Sequence, residues 1–138
     1  MRYVFADTSG LGNLINPREP FHLLAARIYR GRRAQGYFIL TTNYIIAELV
    51  SLMTNPLCIP RATTINFIEG LKTSAYVEIV HVDETLDTAA WQLLKQRPDK
   101  TWGLVDCTSF VLMQWRGVQE WLTTEQHFEQ AVFSRLLK

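Results

Sequence analysis

Short apolar runs recur along this chain, at Tyr3–Ala6 (YVFA), Tyr37–Leu40 (YFIL), Tyr76–Val82 (YVEIVHV) and Val118–Leu122 (VQEWL). The first two are apolar throughout, the pattern of strands buried on both faces. Longer stretches with helical period separate them, at about 20–34, 43–54, 60–73 and 84–97, with others at about 106–116 and 125–137. Strands that alternate with helices predict an α/β fold, a central mostly parallel sheet flanked by helices in a three-layer sandwich. Pro17, Pro20, Pro56, Pro60 and Pro98 all fall at segment borders, where proline punctuates. The apolar stretch 43–73 is expected beyond the end of the sheet, as an inserted helical hairpin.

At 138 residues the chain is read as one domain, 1–138, long enough to bury a real core. No apolar run is longer than YVFA or FVLM, so neither a transmembrane helix nor a signal-peptide core is expected. The first strand begins almost at Met1, which leaves no room for a targeting segment and points to the cytoplasm. Cys58 and Cys107 are far apart, and His22, His81 and His127 have no metal-ligand spacing, so no disulfide framework or zinc site is expected. Net charge is +1, so nucleic-acid binding would need a local patch rather than a global pull.

The informative residues are acids. In YVFADTSG an apolar run ends in Asp7, and an acid at the edge of a core is costly unless its charge is used. In open α/β sheets, ligands bind outside the carboxyl ends of the strands. Asp7 directly follows the first strand, and Glu125 follows the last one after Thr123-Thr124. Glu48 lies in the helix after the second strand, behind Thr41-Thr42-Asn43, and Asp106 stands at a helix start before Phe110–Met113. On this topology all four converge at one end of the sheet. Each also has a structural reading: Asp7 and Asp106 as caps, Glu48 on a solvated stripe with Tyr44 and Ser51, Glu125 as a first-turn acid. Clustered carboxylates repel unless a cation joins them. Oxygen ligands suit Mg²⁺ or Mn²⁺ rather than zinc. Such a site can turn water into hydroxide near neutral pH and stabilise charge on a phosphoryl group, which fits phosphodiester hydrolysis.

FADTS at 5–9, TTNYIIAE at 41–48, DKTWGLVDCTSF at 99–110 and LTTEQHFEQAVF at 122–133 together resemble the PIN-domain family, especially VapC-like toxins. The resemblance covers nearly the whole chain. It implies a Rossmann-like parallel sheet of the five-stranded type, one strand more than the runs above supply. It also implies a metal-dependent endoribonuclease that acts on RNA, is inhibited by a cognate antitoxin and forms a homodimer, often through the region 43–73. By the family pattern Asp7, Glu48 and Asp106 match the metal-holding, catalytic acids, and Glu125 stands at the fourth acidic position. Ser9 matches a hydroxyl beside the first acid, and Asn43 and Thr123 match polar positions around the pocket.

Two departures leave a second reading open. The fourth acid is commonly Asp, and Glu125 is longer by a methylene. The residue before the third acid is commonly Thr, and here it is Val105. A PIN module with weakened or lost catalysis, binding RNA or protein, is therefore the alternative. Phosphoryl transfer through an aspartyl nucleophile wants a second Asp two residues after the first, where Ser9 stands instead. Arg27, Arg30, Arg32 and Arg33 read either as an RNA-phosphate patch or as cations at a helix C-terminus. Trp91, Trp115 and Trp121 fit core or interface positions, and Trp102, in a loop before Asp106, could face a ligand.

Overall fold

The structure, a computed structural model, describes residues 1–124, 131 and 134–137. Its sheet is parallel throughout, in the order β3-β2-β1-β4-β5, with β1 Tyr3–Ala6, β2 Phe38–Thr42, β3 Val77–Val80, β4 Glu120–Leu122 and β5 Ser134–Arg135. Helices α1 Thr8–Ile15, α2 His22–Ala34, α3 Asn43–Thr54 and α4 Arg61–Thr73 make the β1-to-β2 and β2-to-β3 connections. Both crossovers step the same way along the sheet, so right-handed connection puts these helices on one face. Helices α5 Glu84–Gln96 and α6 Leu104–Arg116 carry the chain back across to β4 on the other face. The expected α/β sandwich is the one observed.

Packing explains the strand patterns. Val4, Phe5 and Ala6 are almost wholly buried, because β1 is central and covered on both faces. On the α6 face the Trp121 ring meets Phe5 edge-on at 4.8 Å and Phe110 at 5.5 Å, and Phe110 meets Trp102 at 4.9 Å. Edge-to-face contacts of this kind suit the ring quadrupoles. This stack locks α6 over β1 and β4. Among the described helices none is long and apolar enough to cross a membrane.

Several expectations need correction. Helix α1 was not legible, because Gly10 and Gly12 weaken its helical propensity. Gly10 is required by packing: a Cβ there would stand 1.9 Å from the Leu122 carbonyl oxygen. The fifth strand exists, but as a two-residue edge inside the stretch 125–137 read as helix, paired Glu120↔Ser134 and Trp121↔Arg135. So short a strand has no period to read. The stretch 43–73 is not appended beyond the sheet. Leu49 and Met53 of α3 are fully buried, and α3 packs on α1, β2 and α4. Trp121 is core, as expected, whereas Trp91 and Trp115 are about half exposed and Trp102 is buried beside Phe110.

Candidate active site

Asp7 ends β1 and is the N-cap of α1. It is only 7% exposed, so its charge has to be met by fixed donors. One carboxylate oxygen, Oδ1, accepts the Gly10 N–H at 2.9 Å and the Ser9 hydroxyl at 2.9 Å. The other, Oδ2, accepts the Thr123 hydroxyl at 2.7 Å. Ser9 Oγ also accepts the Thr124 N–H at 2.9 Å and lies 3.1 Å from Thr123 Oγ1. The loop leaving β4 is thereby sewn to the loop leaving β1. The capping and site readings of Asp7 are not rivals: the N–H that the cap satisfies also fixes the carboxylate's orientation.

Glu48 is exposed on α3 and is drawn toward this corner by Thr8, whose hydroxyl donates to Glu48 Oε1. Thr8 was missed in sequence, although a hydroxyl next to the first acid was visible there. Thr42 caps α3 by accepting the Ile45 N–H at 3.2 Å. That cap sets where α3 begins and so where Glu48 falls, a turn and a half later.

Asp106 is not an N-cap. It occupies the third position of α6, and its Oδ2 accepts the Gly103 N–H at 3.1 Å, which holds the entry of the helix. Phe110, one turn further along the same helical stripe, packs on Trp121 beside Phe5. Asp106 therefore stands over the carboxyl end of β1 from the opposite face to Glu48. Its neighbour Cys107 is buried, and burial first, with the Asp106 charge adding to it, pushes the thiol up to about 11. The thiol stays protonated at neutral pH.

Of the remaining site residues expected from sequence, Ser9 and Thr123 bond Asp7 directly. Asn43 does not join that network. Its Oδ1 accepts the Val82 N–H at 2.7 Å and pins the exit of β3 to the start of α3. Glu125 lies outside the described residues. Among the described residues no group of three His, Cys, Asp or Glu side chains is close enough to hold a metal ion. Glu48 is bonded by Thr8, the residue that follows Asp7, and Asp106 stands at the start of α6, so the described acids bring only oxygen donors to this corner.

The arginine cluster on α2 divides in two. Arg32 forms a bidentate pair with Glu120, with contacts of 2.7 and 3.2 Å, and Arg33 donates to the Tyr37 carbonyl and stacks over Tyr76. Both serve the fold at the amino end of the sheet. Arg27 and Arg30 are exposed.

No protein-family model matches the chain. It is 28% identical over 130 residues to the 23S rRNA-specific endonuclease VapC20 of Mycobacterium tuberculosis, in strains CDC 1551 / Oshkosh and ATCC 25618 / H37Rv. The match covers 94% of this chain and 95% of the relative. The fold superposes on the crystal structure of M. tuberculosis VapC20, described as a sarcin-ricin loop cleaving toxin, with a TM-score of 0.83. That superposition has 24% identity and covers 94% of this chain and 95% of the other. Matched nearly end to end in sequence and in architecture, the chain is VapC-like and has the PIN fold.

Proposed function

We propose that this protein is an endoribonuclease of the VapC toxin type, a single domain over 1–138 that hydrolyses RNA phosphodiester bonds. The observation that carries the reading is the buried Asp7 carboxylate at the end of β1, both oxygens of which are aimed by Ser9, Gly10 and Thr123. Asp7, Glu48 and Asp106, with Glu125 as the fourth acid, would hold Mg²⁺ or Mn²⁺. A bound divalent ion supplies charge for the phosphoryl oxygens and makes water more acidic. The chain's own part is orientation. Ser9 and Thr123 fix the plane of Asp7, Thr8 fixes Glu48, and the Gly103 N–H fixes Asp106.

A cognate antitoxin protein that covers the acids is the expected partner in the cytoplasm. A homodimer is supported by the exposure of Trp91 and Trp115 on α5 and α6. Because the relative named above acts on 23S rRNA, that RNA is the first substrate to try. The test is cleavage of purified 23S rRNA and of a mixed RNA pool, without metal, with Mg²⁺ and with Mn²⁺, alongside Asp7→Asn. Fragments that need the metal and disappear in the variant support the proposal. Metal binding by calorimetry with no cleavage of either RNA would favour a non-catalytic module instead, the reading that Glu125 and Val105 keep open.

A further inference from the structure

A groove of about 560 Å³ runs between α3, β3 and the end of α4, a size suited to a small organic group. Its floor is apolar, made by Ile46 and Ala47 of α3 and by Val77 and Ile79 of β3. Its rim carries Lys72, His81 and Asn43, the first two exposed. Asn43 Oδ1 accepts the Val82 N–H, and the amide can offer its Nδ2 hydrogens to a ligand. Lys72 is likewise a donor, and His81 can donate from its ring. An apolar floor with a donor rim matches a flat base joined to an anionic phosphate.

The sheet register places this groove beside the acids. Phe5 pairs with Leu40, and Thr42 pairs with Val80. Continued one residue past β1, that register sets Asp7 level with Thr42 and Val80, and Asn43 follows Thr42 directly as the first residue of α3. Two strand spacings separate β1 from β3, about 10 Å. Asn43 and Ala47 line the groove on the helix that carries Glu48, the residue next to Ala47, so one end of the groove adjoins the acid corner.

We propose that this groove is a nucleotide subsite, taking one nucleotide of the RNA strand next to the bond at the acids. The base lies on the α3–β3 floor, with Asn43 and His81 at the carboxyl end of β3, and a phosphate lies at Lys72 toward the amino end. The inference rests on the ribonuclease reading above. Its test uses the full chain carrying Asp7→Asn, titrated by amide NMR with adenosine 5′-monophosphate and, separately, with inorganic phosphate. Shifts at Asn43, Ala47, Ile79 and His81 with the nucleotide alone are expected. Equal shifts with phosphate would reduce the groove to an anion site, and no shifts would remove it. Shifts only with an acidic, leucine-containing peptide would make it a protein contact and overturn the proposal.

Binding of a ten-nucleotide RNA by fluorescence anisotropy is the second arm. Ala47→Trp, which fills the groove, should weaken binding about tenfold, an effect of the size that base stacking and burial carry. Lys72→Gln, at an exposed position that tolerates change, should lower the slope of log Kd against log salt by about one. Unchanged binding and slope in both variants would overturn the subsite. The two readings fail separately: a parent protein that cuts RNA, with an unaltered KM in Ala47→Trp, loses only the groove. A parent that binds RNA through the groove and cuts none under any metal loses only the catalytic reading.

Discussion

The two ends of the sheet hold their carboxylates in opposite ways. At the amino end Glu120 is clasped by Arg32, and Glu78 by Arg116 with the Tyr3 hydroxyl at 2.9 Å. The Arg116 guanidinium holds the Glu78 carboxyl below its ordinary range, and Glu78 in turn pushes the Tyr3 phenol up. At the carboxyl end the hydrogen bonds described for Asp7 come from two hydroxyls and a backbone N–H, and Glu48 is met by the hydroxyl of Thr8. An arginine cancels a carboxylate's charge while it positions it. A neutral donor positions it without itself cancelling the charge. The first arrangement serves the fold, and the second suits a site.

The largest expected effect breaks the comparison at Asp7. Asp7→Asn keeps a good N-cap, so the fold should survive, while RNA cleavage should fall by about a hundredfold or more. Equal rates for the two proteins under the same metal would show that the carboxylate does not act. Gly10→Ala comes next. Its Cβ meets a backbone oxygen, which cannot rotate away, so thermal unfolding should reveal a loss of about 1–3 kcal/mol. Cleavage should drop as well, because Leu122 precedes Thr123.

Thr123→Val keeps the shape and removes one neutral donor. A buried carboxylate left short of a donor costs about 1–3 kcal/mol, and kcat should fall more than KM rises. A Thr123→Ser protein that recovers the rate would identify the hydroxyl as the cause.

The smallest effect belongs to the amino end. The Glu78–Arg116 pair is partly exposed, so Glu78→Gln should cost only about 0.5 kcal/mol at neutral pH, with kcat unchanged. Because the folded-state pKa of Glu78 lies below its usual 4.5, the pair's contribution is complete above that value. It is lost as pH falls through the depressed one. The parent should therefore lose thermal stability below about pH 4.5 more steeply than Glu78→Gln does, and parallel curves would count against this account.

How much of this was legible follows from the length over which each signal repeats. The strands at Tyr3–Ala6 and Phe38–Thr42 and the helices α2 to α6 carry several residues of period, and they stand close to where the pattern put them. Asp7, Ser9 and Thr123 were readable because acid and hydroxyls follow strand ends directly, and the sheet places strand ends together. Asn43 satisfied the same pattern and went elsewhere, since its nearest unmet donor was the Val82 N–H. Helix α1 was hidden by Gly10, which packing demands, and by Gly12, both of which propensity penalises. Strand β5 was hidden by its length. Nor could composition tell Arg32 and Arg33, which are spent on Glu120 and Tyr37, from the exposed Arg27 and Arg30 beside them.

The bond from Thr123 to Asp7 spans 116 positions of sequence. A chain emerging from the ribosome carries Asp7, Glu48 and Asp106 long before it carries the hydroxyl that completes the grip on Asp7. Contacts so distant in sequence close late, after the loop between them has been ordered. A chain without Thr123 lacks the hydroxyl that aims Asp7 Oδ2, so the grip on the first acid is completed only once residue 123 is available.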